Sequence, residues 1–159
     1  MRTIFISLII MVAGVSAQAQ TPGDLFQQFK GKKNAEYVHF GRLLISVFRP
    51  IVNHQSDDPA ARTALRCVRS LRTLDLEDCE PEVRKQFAKV ANGLKTKGYH
   101  EMASLCSEGE QTRVLVRLKG DTIREVLLLS AGDDDCSLVQ IKGKVKPEDL
   151  ESVVDVMKK

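Results

Sequence analysis

The sequence lacks the local signatures from which chemistry is usually read. It has no Gly-x-Ser-x-Gly elbow and no glycine-rich phosphate cradle, which removes the common evidence for acyl transfer and nucleotide binding. Histidine is scarce: His39, His54 and His100 are the only three. They lie far apart, none belongs to a His-x-x-x-His pattern, and the four cysteines contain no Cys-x-x-Cys pair, so neither a metal nor a cofactor is expected. The acidic run Asp133-Asp134-Asp135 fails as a calcium loop because Leu138 stands where that loop requires glycine, and it reads as a solvated turn. A large excess of one charge is missing too. Lys and Arg exceed Asp and Glu by three, and by two once Arg2 leaves with the segment described next, too little to make nucleic acid an expected partner. Internal repeats and low-complexity tracts are also absent.

What the chain does have is an export signal at its start. Met1 and Arg2 give a positive beginning, Ile4 to Val15 is an apolar run broken by Ser7, and Ala17-Gln18-Ala19 is a small-x-small cleavage site. At ~1.5 Å per residue the run falls short of the ~30 Å of a hydrocarbon core. The first cysteine is Cys67, which leaves no lipid attachment site near the cleavage point. Residues 1–19 are therefore expected to be removed, giving an exported protein, periplasmic or secreted, with no transmembrane segment after cleavage. About 140 residues then remain, enough for one core. A composition of 43% hydrophobic and 28% charged residues is that of an ordinary globular chain. The expected organisation is a lead-in segment over 20–34 and a single α+β domain over 35–159.

Periodicity supplies the elements. Leu25, Phe26 and Phe29 suggest a short helical turn in the lead-in segment. Tyr37–Phe40 reads as a strand, and Leu43, Leu44, Val47, Phe48 and Ile51 line a helix face that Pro50 ends. Asn53 to Pro59 reads as a loop, Arg62–Ser70 fits helix or strand, and Leu71–Leu76 fits strand. Pro81 and Glu82 open a helix that buries Val83, Phe87, Val90, Ala91 and Leu94. The period then changes to alternation over Tyr99–Cys106, Gln111–Lys119, Thr122–Ser130 and Cys136–Gly143, with turns at Glu108-Gly109, Gly120-Asp121 and Gly132 to Asp135. A final helix starts at Pro147 and buries Leu150, Val153, Val154 and Met157. The expected fold is α+β: an antiparallel sheet of four to five strands, helices packed on one face, and one β-α-β crossover.

A two-residue turn at Gly120-Asp121 pairs Lys119 with Thr122, and period-two alternation then assigns the faces. One face collects Val114, Val116, Leu118, Ile123, Leu127, Leu129, Val139 and Ile141, and helices are expected to cover it. The other collects Arg113, Arg117, Lys119, Arg124 and Lys142, with Leu115, Val126, Leu128 and Leu138 among them and Arg117 opposite Arg124. A solvated polar face is the ordinary state of such a sheet. Directly opposed like charges are destabilising, however, and aliphatic residues among them suit a docking surface or cover by the N-terminal segment. Arg113, Arg117, Arg124 and Lys142 are therefore the candidate ligand-binding residues, with an anionic ligand or an envelope protein as the partner.

Four cysteines in an exported chain allow three fully paired connectivities. The crossover places Cys79, Cys106 and Cys136 near one end of the sheet and Cys67 near the other. An extended segment at ~3.3 Å per residue carries Cys67 and Cys79 beyond the ~7 Å limit for a bridge. Cys79–Cys106 is the expected pair if a bridge forms, and the competing state is four reduced thiols acting as small core residues.

The segments Val114-Leu115-Val116-Arg117-Leu118-Lys119, Ile123-Arg124-Glu125-Val126 and Ser137 to Lys144, with Ile141-Lys142-Gly143 followed by Pro147-Glu148-Asp149-Leu150, carry a resemblance. The chain resembles the small exported bacterial proteins of the domain of unknown function four-two-five-two family. That family has no assigned activity or catalytic residues. The resemblance implies an envelope location in a Gram-negative bacterium and, through the frequent neighbourhood of extracytoplasmic sigma-factor genes, a part in envelope signalling. The expected function is a non-catalytic binding or adaptor protein. Two alternatives stand beside it: a thiol-dependent enzyme using Cys106 or Cys136 with His100, which needs a lowered thiol pKa, and a purely structural envelope protein.

Overall fold

A computed structural model describes residues 21–43, 45–46, 58–94 and 97–157, with residues 154–157 described by their backbone alone. The export signal, Leu44, Val47, Phe48, Pro50 and Ile51 of the second expected helix, the loop from Asn53 with His54, and the side chains of Val154 and Met157 lie outside the described residues.

Helix α1 (Pro22–Phe29) begins with a reciprocal cap. The Thr21 hydroxyl accepts from the Asp24 N–H, and the Asp24 carboxylate accepts from the Thr21 N–H at 2.9 Å. Leu25, Phe26 and Phe29 are fully buried, so the segment expected as a lead-in is part of the core. Strand β1 (Glu36–Phe40) and a helical turn at Arg42 follow. Asp58 caps α2 (Pro59–Cys67) through the Ala60 N–H at 2.9 Å, and the ambiguous segment after it divides at Cys67, where strand β2 (Val68–Asp75) takes over. Helix α3 (Pro81–Asn92) has proline at its first turn. Strands β3 (His100–Ser107), β4 (Glu110–Lys119), β5 (Thr122–Ala131) and β6 (Cys136–Val145) form the meander, and a 3-10 turn (Pro147–Asp149) leads into α4 (Leu150–Met157). The β3–β4 turn holds Glu108 at φ 46° and Gly109 at φ 86°, the pair of positive values that a tight hairpin matched to strand twist requires. Among the described residues no helix is long and apolar enough to cross a membrane.

The six strands form one antiparallel sheet in the order β1-β2-β6-β5-β4-β3. The expected count of four to five is low because β1 and β2 both join the meander, β2 pairing with β6. Strands β2 and β3 run in the same direction, but β6, β5 and β4 stand between them, so the strand-helix-strand unit spans the sheet. Helices also cover both faces rather than one. On one side α1 and α3 pack Phe26, Phe29, Phe87 and Ala91 against Leu74, Leu115, Leu127, Leu129 and Leu138. On the other, Ala64 of α2 and Val153 of α4 meet Val116, Ile123, Val126, Ile141 and Val145. The uninterrupted apolar run Val126 to Leu129 has this cause, since a strand buried on both faces needs no polar alternation.

A one-residue bulge redistributes the faces. Leu118 pairs with Ile123 but Arg117 pairs with Glu125, leaving Arg124 as the extra residue on β5. The ladder shifts again at Gly143–Lys144 of β6 and at Arg69 of β2, so the irregularity runs across three neighbouring strands. From Glu125 onward every β5 side chain lies on the face opposite to that expected. Arg117 opposes Glu125, not Arg124, and Leu127 and Leu129 lie beneath α1 and α3 while Val126 faces α2 and α4.

Gly143 sits where this line passes the junction of α2 and β2. A Cβ there would lie 2.2 Å from the Cys67 carbonyl oxygen and 3.2 Å from the Val68 Cα, both backbone atoms. Gly143→Ala is expected to lower unfolding stability by at least about 1–3 kcal/mol, the usual cost of overpacking. Gly31→Ala, with nothing within 4 Å, should stay within about 1 kcal/mol of the wild type. Urea denaturation of both checks this, and equal midpoints would refute the close approach.

Candidate functional site

One face of the sheet carries a polar stripe beside the core formed with α1 and α3. Directly opposed residues share a face, and the registers Arg117↔Glu125, Glu125↔Lys142, Leu127↔Gln140, Arg72↔Gln140 and His39↔Arg72 place these side chains in one band across five strands. Arg113, Arg117 and Lys142 lie together on this face, as expected. Arg124 does not join them in the ladder, because as the bulged residue it has no partner on β4.

The centre of the stripe is Glu125, 6% exposed. A buried carboxylate needs donors, and it has them. Tyr99, just before β3, donates its phenolic O–H to Glu125 Oε1 at 2.6 Å, and Gln140 donates its amide N–H to the same oxygen. Arg117 Nη1 stands 3.5 Å from Oε2, and its guanidinium lies over the Tyr99 ring, 4.3 Å from the centroid. Burial pushes the Tyr99 phenol well above its ordinary pKa, and the hydrogen bond to the Glu125 carboxylate adds to the shift. Arg113 is neutralised separately, its Nε donating to Glu101 at 2.7 Å. Lys142 is exposed and makes no ion pair among the described residues. Two atoms on directly paired residues, Arg72 Nε and Gln140 Oε1, are buried without a hydrogen-bond partner in the described structure, as is Arg124 Nε. Tyr99, Glu125, Gln140 and Arg72 were not among the sequence candidates. Their one signal is a lone acid, Glu125, at the head of an apolar run.

The thiols are dispersed. All four cysteines are free, and Cys79 and Cys106 are not joined. Cys79 sits in a turn just past β2, its N–H donating to Leu76 O, while Cys106 is on β3. Strands β6, β5 and β4 stand between β2 and β3. Burial pushes the Cys67, Cys79 and Cys136 thiols up, away from nucleophilic reactivity. Cys136 is enclosed, donating to Gly132 O at 3.1 Å. Cys106 lines an open hollow of about 570 Å³ between α3 and the β3–β4 turn, with Lys85, Asn92 and Glu110. His100 is six residues along the same strand, ~20 Å away at ~3.3 Å per residue, so the structure does not assemble the Cys–His pair. Among the described residues no three His, Cys, Asp or Glu side chains gather closely enough to hold a metal ion.

These environments set two expectations. In the folded protein iodoacetamide should modify Cys106 first, and Cys79 and Cys136 only on unfolding; peptide mapping of a brief alkylation checks the order, and early labelling of Cys136 would contradict the enclosed site. Tyr99→Phe should cost about 1–3 kcal/mol, because Glu125 stays buried with one donor fewer. Its pH dependence has a definite sign. Since the folded state raises the phenol pKa above the unfolded value of ~10, this contribution is complete below pH ~10 and is lost as pH climbs from there. The stability gap between wild type and variant, measured by urea unfolding, should therefore shrink above pH ~10; a gap unchanged up to pH ~11 would contradict the Tyr99–Glu125 link.

No curated protein and no solved structure matches the chain. Residues 29–153, which hold the whole sheet, the polar stripe and both core clusters apart from Leu25 and Phe26, match the family described as Domain of unknown function (DUF4252), and the chain belongs to that family.

Proposed function

We propose that this protein is an exported, non-catalytic binding or adaptor domain of the bacterial envelope that docks an anionic partner on the polar stripe of its sheet. The observation that carries this reading is the charge balance of the stripe. Arg72, Arg117 and Lys142 come from β2, β4 and β6, and His39 from β1 adds a fourth basic group. Against them stands the carboxylate of Glu125, already enclosed by Tyr99, Gln140 and Arg117, while the Glu101 carboxylate on the same face is taken up by Arg113. Lys142 and the outer edge of Arg117 thus present positive charge to solvent, while the Glu125 cluster holds Arg117 in place. A rigid base with exposed cations suits recognition of carboxylate or phosphate groups. The raised thiol pKa values of Cys67, Cys79 and Cys136, and the separation of exposed Cys106 from His100, favour binding over thiol chemistry, and the residues before Gln20 support export to the periplasm with signal cleavage.

In a Gram-negative host, tagged protein should appear in the periplasmic fraction with Gln20 as its first residue. Cross-linking in intact cells should recover a partner that Arg117→Gln/Lys142→Gln loses, with circular dichroism confirming that the variant is folded. Full-length protein confined to the cytoplasm would overturn the export reading, and identical cross-links from wild type and variant would overturn the role of the stripe.

A further inference from the structure

A second basic site lies at the other side of the bulge line, away from the polar stripe. A cavity of about 290 Å³ is lined by Arg42, Ile45, Ser46, Arg66, Val68 and Arg69. We propose that it binds a tetrahedral oxyanion, as inorganic phosphate or as a phosphate group carried by a lipid.

Three features lead there. First, the three arginines come from three different elements. Arg42 is in the helical turn after β1, Arg66 in the last turn of α2, and Arg69 is the extra residue of the β2 bulge, with no cross-strand partner on β6. A bulge re-aims a side chain that the ladder would otherwise direct to a face. Second, among the described residues no carboxylate lines the cavity. Asp149 reaches the end of α2 through the Cys67 thiol, 3.9 Å away, and not through these guanidinium groups. The negative end of the α2 dipole accounts for Arg66, but not for Arg42 and Arg69. Cations that converge without a counter-charge repel one another, and an anion between them removes that penalty. Third, the cavity is shaped for a small group. Its volume is at the lower end of ligand pockets, and Ile45, 8% exposed, gives it an apolar wall that raises the strength of charge-assisted bonds.

The donors fit the ligand. Arg66 Nη2 is held by Thr63 Oγ1 at 3.3 Å, which orients its fork and leaves its other N–H groups available. Ser46 gives its hydroxyl proton to the Leu43 carbonyl at 2.7 Å, so its oxygen can accept from a protonated phosphate oxygen. Arg66 also borders a shallower hollow with Pro59, Arg62 and Thr63, which extends the positive surface along α2.

The test uses the mature chain in two arms. Equilibrium dialysis with labelled inorganic phosphate measures free-anion binding, and flotation with phosphatidylglycerol vesicles, against phosphatidylcholine vesicles, measures headgroup binding. Saturable binding in either arm, weakened at least tenfold by Arg42→Gln/Arg69→Gln at unchanged circular dichroism, is the expected result, and the arm that responds identifies the source of the phosphate. Should the double variant lose its fold, Arg42→Gln alone, at an exposed position outside the sheet, gives the same reading. Absence of saturable binding in both arms, or binding equal in wild type and variant, would overturn the site. Neither outcome bears on the polar stripe, whose residues stay intact.

Discussion

Arg124 is one residue more than β4 can pair, and that extra residue decides which side of the sheet the rest of β5 faces. In a regular ladder Arg117 would oppose Arg124, two guanidinium groups at cross-strand contact, and Glu125 would turn toward the apolar cluster of Val116, Val126 and Ile141. The bulge removes both conflicts. It brings Glu125 opposite Arg117, sends Leu127 and Leu129 under α1 and α3, and gives Val126 to α2 and α4. Because a one-residue slip inverts every side chain that follows, both cores and the charge cluster depend on the same local irregularity. The shift continues through Gly143–Lys144 and Arg69, so the neighbouring strands accommodate it rather than absorb it in one place.

Much of this fold was legible along the chain. Each strand of the meander lies within two residues of its expected limits, because period-two alternation and glycine turns are local signals. The helices at Pro81 and after Pro147 were equally plain from proline and acidic residues at their starts. What could not be read was register. A bulge leaves no mark in composition, and a hairpin extrapolated from Gly120-Asp121 is right for Lys119↔Thr122 and Leu118↔Ile123 and wrong from the next pair on. The candidate site inherited that error. Arg113, Arg117 and Lys142 do share a face, but their organising residue, Glu125, had been assigned to neither site nor core. Tyr99 was invisible for another reason: it lies 26 residues from Glu125, a separation across which no pattern in one sequence carries information. The expectation of helices on one face failed on Val126 to Leu129, a run too apolar for a strand with a wet side.

Arg84 shows how the end of the sheet away from the bulge is held. Its guanidinium donates to Glu77 O and Cys79 O, at 2.8 and 2.9 Å, and to Asp133 O at 2.8 Å. One α3 side chain thus ties the loop leaving β2 to the turn between β5 and β6. Its own carbonyl oxygen lies 3.6 Å from Cys136 Sγ. Planar donors in fixed directions meet several carbonyls in a way an ammonium cannot. The two cysteines nearest this knot therefore serve as small buried side chains whose burial discourages ionisation, and chemistry at this end is left to the exposed Cys106.

The distribution of basic residues follows the irregularity. Arg69 and Arg124 are the added residues of β2 and β5, and Lys144 lies within the shift in β6, with Lys142 at its edge. In regular register such residues would stack as like charges on neighbouring strands, each contact costing roughly 0.2–1 kcal/mol. Displacing them from the ladder separates the charges into two groups: Lys142 with Arg72 and Arg117 around Glu125, and Arg69 with Arg42 and Arg66 around the cavity. The first group contains its own carboxylate and is internally ordered. The second has none among the described residues, which is the arrangement that a bound anion would relieve. A single device, the line of bulges, thus yields one cluster that carries its own carboxylate and one that, among the described residues, carries none, and the second is the place where an anionic ligand would have the greater effect on the fold.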